Sequence, residues 1–125
     1  MPHLMIDYSP NLEATVDISA LCDHIRRAAI ETGVFPMAGI RVRAFAASHV
    51  SIADGDAKHG YIDISVRLRK GRSTAAKRAA TQAIFNAAST FLAPVMAQHS
   101  IALSMEMRDI DPILSPKSGT IRDHL

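Results

Sequence analysis

The chain has no tryptophan, a single cysteine (Cys22), and only four phenylalanines and two tyrosines. One cysteine excludes an intramolecular disulfide framework and any zinc site built from several thiolates. No apolar run approaches the roughly 20 residues that a membrane-spanning helix needs. The first residues lack the basic-then-apolar layout of a secretory signal, so the sequence reads as that of a cytoplasmic protein with no membrane partner. An excess of charge is also missing: 14 Lys and Arg against 12 Asp and Glu leave a formal net charge of +2. That balance is too mild to imply nucleic acid, although it suits a small anionic ligand if the arginines gather. The six histidines carry no metal-ligand spacing, so no metal is expected. The segment DGDAKH (54–59) lacks the further acidic positions and late glutamate of a Ca²⁺ loop. RLRKGR (67–72) has no interleaved aromatics and reads as a solvated strand end.

What is present is an ordinary globular composition. The chain has 125 residues, 48% apolar and 21% charged, which fits one domain over residues 1–125 with a small core of its own. Residues 1–8 alternate, with Leu4, Ile6 and Tyr8 on one face and His3, Met5 and Asp7 on the other. Asp17 is placed to cap a helix with apolar positions Ile18, Leu21, Cys22, Ile25, Ala28 and Ala29, and Gly33 to stop it. GIRVRAFAA (39–47) alternates again, with Arg41, Arg43 and Phe45 opposite Ile40, Val42, Ala44 and Ala46. A turn-rich loop, SIADGDAKHG, follows.

The pattern then starts over. YIDISVRLR (61–69) alternates strictly, with Ile62, Ile64, Val66 and Leu68 on one face. Ser73 or Thr74 is placed to cap an alanine-rich helix whose face is read as Ala80, Ile84, Ala87, Phe91 and Val95, with Pro94 expected to kink or shorten it. Ile101 to Arg108 reads as a fourth strand, and the tail DPILSPKSGTIRDHL as turn-rich. The order strand–helix–strand occurs twice, and IDYS (6–9) echoes IDIS (62–65). The chain therefore reads as α+β: a duplicated β-α-β unit, with halves of about 1–57 and 58–125. Two crossovers give a four-stranded mixed sheet with both helices on one face. The other face would carry Arg41, Arg43, Tyr61, Asp63, Ser65, Arg67 and Arg69, too mixed for a core and too extensive for a wet face, so other subunits are expected to cover part of it.

The start MPH, the stretch TGVFPMAGIRVR (32–43), ADG (53–55), GRS (71–73) and ALS (102–104) resemble the 5-carboxymethyl-2-hydroxymuconate isomerase family of the tautomerase superfamily. The likeness runs from Pro2 to about Arg108. It implies a trimer with active sites at subunit contacts. It also implies a cofactor-free allylic 1,3-proton shift (keto–enol) on 5-carboxymethyl-2-hydroxymuconate, in the degradation of homoprotocatechuate.

Methionine before proline is normally trimmed, and Pro2 would then carry a secondary amine that no other amino acid provides. Burial and nearby guanidinium groups both disfavour its cation and would leave a neutral general base. With Met1 in place the Pro2 nitrogen is an amide without a basic lone pair, and Pro2 is then simply a tolerated terminal proline. Arg41 stands at the arginine of the family's AGIR motif and Arg72 at that of GRS. A guanidinium grips a carboxylate through two parallel hydrogen bonds, and a substrate with several carboxylates needs more than one such clamp. Arg43 shares the strand face of Arg41 and is a further substrate-binding candidate. His3 is open between pocket lining and a packed strand side chain. Cys22 and the six methionines read as packing, and Glu106 as a surface charge rather than a second acid. Two other functions fit the same sequence: a 4-oxalocrotonate tautomerase-like activity on a shorter substrate, or a non-catalytic trimeric anion-binding module.

Overall fold

In the computed structural model, which describes all 125 residues, the Asp17 carboxylate accepts from the Ala20 N–H at 2.9 Å and starts helix α1 (Ile18–Glu31). Gly33, at φ 67°, turns the chain out of that helix in the left-handed conformation glycine tolerates best. Before α1 stand strand β1 (His3–Tyr8) and a 3-10 turn (Pro10–Ala14); after it come a 3-10 turn (Met37–Gly39) and strand β2 (Arg41–Ala46). The second half repeats the plan with β3 (Gly60–Arg69), α2 (Thr74–Met96) and β4 (Ile101–Ile110), and the tail ends in a 3-10 turn (Ile121–His124).

All four strands join one sheet in the order β2-β1-β3-β4. Each half contributes a parallel pair, and the halves meet where β1 runs antiparallel to β3. In that register Asp7 lies opposite Asp63 and Ile6 opposite Ile64, so the approximate two-fold between the IDYS and IDIS segments passes through the two aspartates. The helix-side face supplies Leu4, Ile6, Ile62, Ile64, Val66 and Leu68 to a core completed by Leu21 and Ile25 of α1 and Ile84 and Leu92 of α2. Strict alternation buries one face because successive side chains of a strand point to opposite sides.

Three expectations need correction. The fully buried row of α2 is Ala80, Ile84, Ala88 and Leu92, with Ala87, Phe91 and Val95 only half-buried beside it. Eight of the 23 helix residues are alanine, which marks the buried row only weakly, and sequence spacing places Phe91 on it. Its ring instead leaves the core for the flank and lies 5.2 Å from the imidazole of His24 on α1, while Leu92 fills the core position. Pro94 does not shorten α2, which runs to Met96. Pro94 sits in the last turn, where only the Thr90 carbonyl loses its helical donor, and both residues are exposed to water that can replace it. Met37 is 53% exposed and is not core packing.

The sheet places the amino terminus. His3 pairs with Arg41 on one side and Arg67 on the other, and the Arg41 N–H donates to the Pro2 carbonyl at 3.2 Å. Met1 and Pro2 therefore emerge at the end of the sheet where β2 begins and β3 and β4 end. The tail is tied to the same end. The Lys70 N–H donates to the Ile110 carbonyl at 3.2 Å, and Arg69 Nη2 to the Pro112 carbonyl at 2.9 Å.

Candidate active site

Pro2 is buried. A Cβ at Gly39 would come within 2.9 Å of its ring Cδ and 3.6 Å of Met1 Cα, so the glycine of the AGIR motif lets the Met37–Gly39 turn close directly over the ring. Gly39 has no positive φ, so its requirement is space and not backbone freedom. Gly39→Ala is expected to displace the Pro2 ring by some tenths of an ångström while leaving the sheet intact. The expected result is a native circular dichroism spectrum with kcat/KM reduced by up to about 10²-fold, the loss that a misplacement of about 1 Å can cause. An unaltered kcat/KM would show that the fit against Pro2 is not critical.

Two cavities meet at Met1. One, of about 150 Å³, lies under His3, Arg67, Arg69 and Ile110 and is closed by Ser115, Pro116 and Lys117 of the tail. The other, of about 460 Å³, lies between the turn carrying Gly39 and Arg41 and the tail residues Lys117, Arg122 and Asp123. Met1 and Lys117 line both.

The charge around them is mostly positive, with Asp123 the one carboxylate that lines either cavity. Away from them Arg26 and Arg27 pair with Asp23, Lys58 with Asp56, Lys77 with Asp109 and Arg108 with Glu106, whereas Arg43, Lys70 and Arg78 make no ion pair. Arg41, Arg67, Arg69, Arg72, Lys117 and Arg122 make no such pair. Their field acts on the terminal amine. The Met1 ammonium is held below its ordinary pKa first by burial and then by the charges of Lys117, Arg69, Arg72 and Arg41. His3 is likewise held below its ordinary value, by burial and then by Arg43, Arg67 and Arg41. Arg43 Nη1 donates to its Nδ1 at 3.3 Å, which fits a neutral ring protonated on Nε2.

The arginines named from sequence occupy different places. Arg41 lines the larger cavity, with Nη1 donating to the Gly39 carbonyl at 2.8 Å. Arg72 lines neither. Its Nε donates to the Val34 carbonyl at 3.3 Å and its Nη1 to the Arg69 carbonyl at 3.1 Å, tying the loop before β2 to the end of β3. Arg43 also stays outside both cavities, on His3 and 6.0 Å from the centre of the Phe45 ring. Glu106 is an exposed partner of Arg108.

Sequence reasoning missed Arg67 and Arg69, taken as a solvated strand end, together with Lys117 and Arg122 of the tail. Alternation alone puts Arg67 and Arg69 on the face of His3 and Arg41. Nothing in SPKSG signals that Lys117 returns to the amino terminus. No three or more His, Cys, Asp or Glu side chains gather where they could hold a metal ion, and no helix is long and apolar enough to cross a membrane.

The model of the 5-carboxymethyl-2-hydroxymuconate isomerase family matches residues 2–125. The chain belongs to that family. It is 28% identical over 121 residues to the 5-carboxymethyl-2-hydroxymuconate Delta-isomerase of Escherichia coli, covering 97% of this chain and 96% of that one. A crystal structure of a 5-carboxymethyl-2-hydroxymuconate delta-isomerase superposes with a TM-score of 0.91 at 32% identity, over 99% of this chain and 92% of the other. The isomerase of Deinococcus radiodurans R1 gives 0.90 at 26% identity, over 98% and 92%. A fused 4-OT described as a symmetric trimer gives 0.70 at 19% identity over 94% of each chain, which is a likeness of fold. The four-stranded mixed sheet with its two helices is thus the tautomerase fold.

Proposed function

We propose that this member of the isomerase family catalyses the allylic 1,3-proton shift on 5-carboxymethyl-2-hydroxymuconate without a cofactor, in homoprotocatechuate degradation, with Pro2 as general base. The observation that carries this reading is the burial of Pro2 beneath a terminal amine ringed by unpaired cations. Removal of Met1 turns the Pro2 nitrogen into a secondary amine in a more buried place than the Met1 amine, inside the same field. Burial and positive charge penalise its cation and leave it neutral. The amine takes the proton of the 2-hydroxyl, whose O–H electrons form the ketone as the double bonds shift. It returns that proton to a carbon further along the chain, so one O–H bond is exchanged for one C–H bond. Arg41 at the larger cavity holds a carboxylate and stabilises the charge spread over the dienolate, and the Arg72 cation behind it adds to the field. His3 lines the smaller cavity as a neutral imidazole, with the Arg43 cation held against it from outside.

The working assembly in this reading is a homotrimer. The sheet face away from the helices carries charges sorted by position. Arg41, His3, Arg67 and Arg108 form one row, and Asp7 and Asp63 lie two rows away. Tyr61 donates to Asp7 at 2.6 Å, and this bond pushes the phenol up to about 12. Ser104 donates to Asp63. No cation of the same chain pairs with either aspartate, which leaves both for a neighbouring copy.

Intact mass, sedimentation and the change in ultraviolet absorbance of the hydroxymuconate test this together. The expected result is a chain lighter by one methionine, a trimer at micromolar concentration, and turnover. A mass-verified trimmed trimer that leaves the substrate unchanged overturns the catalytic reading. A stable monomer with full activity overturns the inter-subunit site.

A further inference from the structure

We propose that Lys117 is a specificity-determining residue: its ammonium, carried on the C-terminal strap, binds the third carboxylate of a tricarboxylate and so separates it from dicarboxylates. The proposal rests on the reading of this site as a polycarboxylate isomerase and names how the extra carboxylate is recognised.

Lys117 is the one side chain besides Met1 that borders both cavities, so it stands at their junction. A branched substrate that sends one arm into each cavity must pass its branch point beside this ammonium. The two cavities already have fixed guanidinium groups of their own: Arg67 and Arg69 in the smaller, Arg41 and Arg122 in the larger. A linear dicarboxylate is satisfied by these. A third carboxylate at the branch meets only Lys117. Its point charge on a flexible stem suits a group whose position varies, where a planar fork would demand one geometry. No carboxylate of the chain occupies Lys117.

The strap that carries it is held at both ends. Arg69 Nη2 donates to the Pro112 carbonyl at 2.9 Å. The Asp111 carboxylate accepts from the Ile113 N–H at 2.8 Å. Beyond Lys117 the turn Ile121–His124 packs against the turn Met37–Gly39. A lysine on a free tail would lose much of its binding in ordering; here the backbone is already set. The charges facing the terminal amine from other elements are Arg41, Arg69 and Arg72, with His3 and Arg67 beside it in the smaller cavity and Arg122 and the opposing carboxylate of Asp123 in the larger. Lys117 adds to the same field, so its loss must also raise the amine's pKa.

The test uses the full-length protein and the variants Lys117→Met, which keeps the stem, and Lys117→Arg. Calorimetry measures binding of propane-1,2,3-tricarboxylate and of glutarate, and neither requires catalysis. Lys117→Met is expected to weaken the tricarboxylate about tenfold and glutarate less than about twofold, with Lys117→Arg restoring most of the loss, the scale of one charge-assisted contact. In turnover, KM for 5-carboxymethyl-2-hydroxymuconate is expected to rise about tenfold while KM for 2-hydroxymuconate barely moves. The acidic limb of kcat/KM against pH should shift upward. Equal weakening of both ligands, no weakening, or no polycarboxylate binding by the parent protein overturns the proposal. Lys117-dependent binding by a protein with no isomerase activity would sink the catalytic reading and leave this one standing.

Discussion

Activity of the trimmed enzyme is expected to rise with pH through the pKa of the Pro2 amine and then level, with a midpoint below that of the same amine in an unfolded chain. The sign follows from the base being the neutral form. The cation is inactive, so kcat/KM is lost as pH falls through the folded pKa. Burial and the charges of Lys117, Arg69, Arg72 and Arg41 already depress the amine one residue earlier, and Pro2 lies deeper. Three versions of the terminus should rank in a fixed order. Proline is fastest. Pro2→Ala leaves a primary amine that still accepts a proton but lacks the ring packed beneath Gly39, so its direction is lost and activity falls strongly but incompletely. A blocked Pro2, with Met1 retained or a residue added, has only an amide nitrogen and should lose roughly 10²–10⁴-fold, the usual contribution of a general base. Rates on chains whose termini are verified by mass check the order. A chain that retains Met1 and isomerises as fast as the trimmed one would remove Pro2 as the base, leaving His3 as the neutral base at the cavity.

Period-2 alternation and helix caps were enough to read the duplicated β-α-β plan. In the sheet the alternating positions Leu4, Ile6, Ile62, Ile64, Val66 and Leu68 are all buried, and the caps at Asp17 and Ser73 are in place. The face of α2 was harder because alanines differ little from one another in apolar area, and its row is decided by packing against α1 and the sheet. The site was legible only where it lies on alternating strands or at a motif. Arg41 and Pro2 sit together because β1 and β2 are parallel neighbours, which alternation with a crossover implies. Lys117 and Arg122 reach the site through a tail with no regular period. Their place is set by tertiary contacts: Arg69 on the Pro112 carbonyl, and one 3-10 turn on another. The dual character of Arg72 was likewise invisible, since a motif arginine that donates to two main-chain carbonyls looks the same in sequence as one that faces substrate.

That difference between Arg41 and Arg72 yields the last prediction. Arg41→Ala removes a guanidinium that lines the larger cavity and spends one N–H on the nearby Gly39 carbonyl. Its loss is expected to lower kcat/KM by about 2–4 kcal/mol of transition-state stabilisation, as for loss of a strong oxyanion donor, with little change in unfolding temperature. Arg72→Ala deprives the Val34 and Arg69 carbonyls of their guanidinium donors and loosens the loop that precedes the Pro36–Gly39 segment. It should cost about 1–3 kcal/mol of folding stability, the scale of hydrogen bonds to a charged group, along with activity. Arg41→Lys should recover only part of the rate, because one ammonium cannot reproduce a planar two-point grip on a carboxylate. Arg72→Lys should recover charge near the amine, and with it the pH midpoint, while one ammonium replaces the two tethers poorly and the melting temperature stays low. Thermal unfolding and kcat/KM measured on the same four variants separate the roles. Near-full activity in Arg41→Ala would show that another cation, Arg122 or Arg69, holds the carboxylate. An unchanged melting temperature in Arg72→Ala would show that its two carbonyl bonds do not hold the loop.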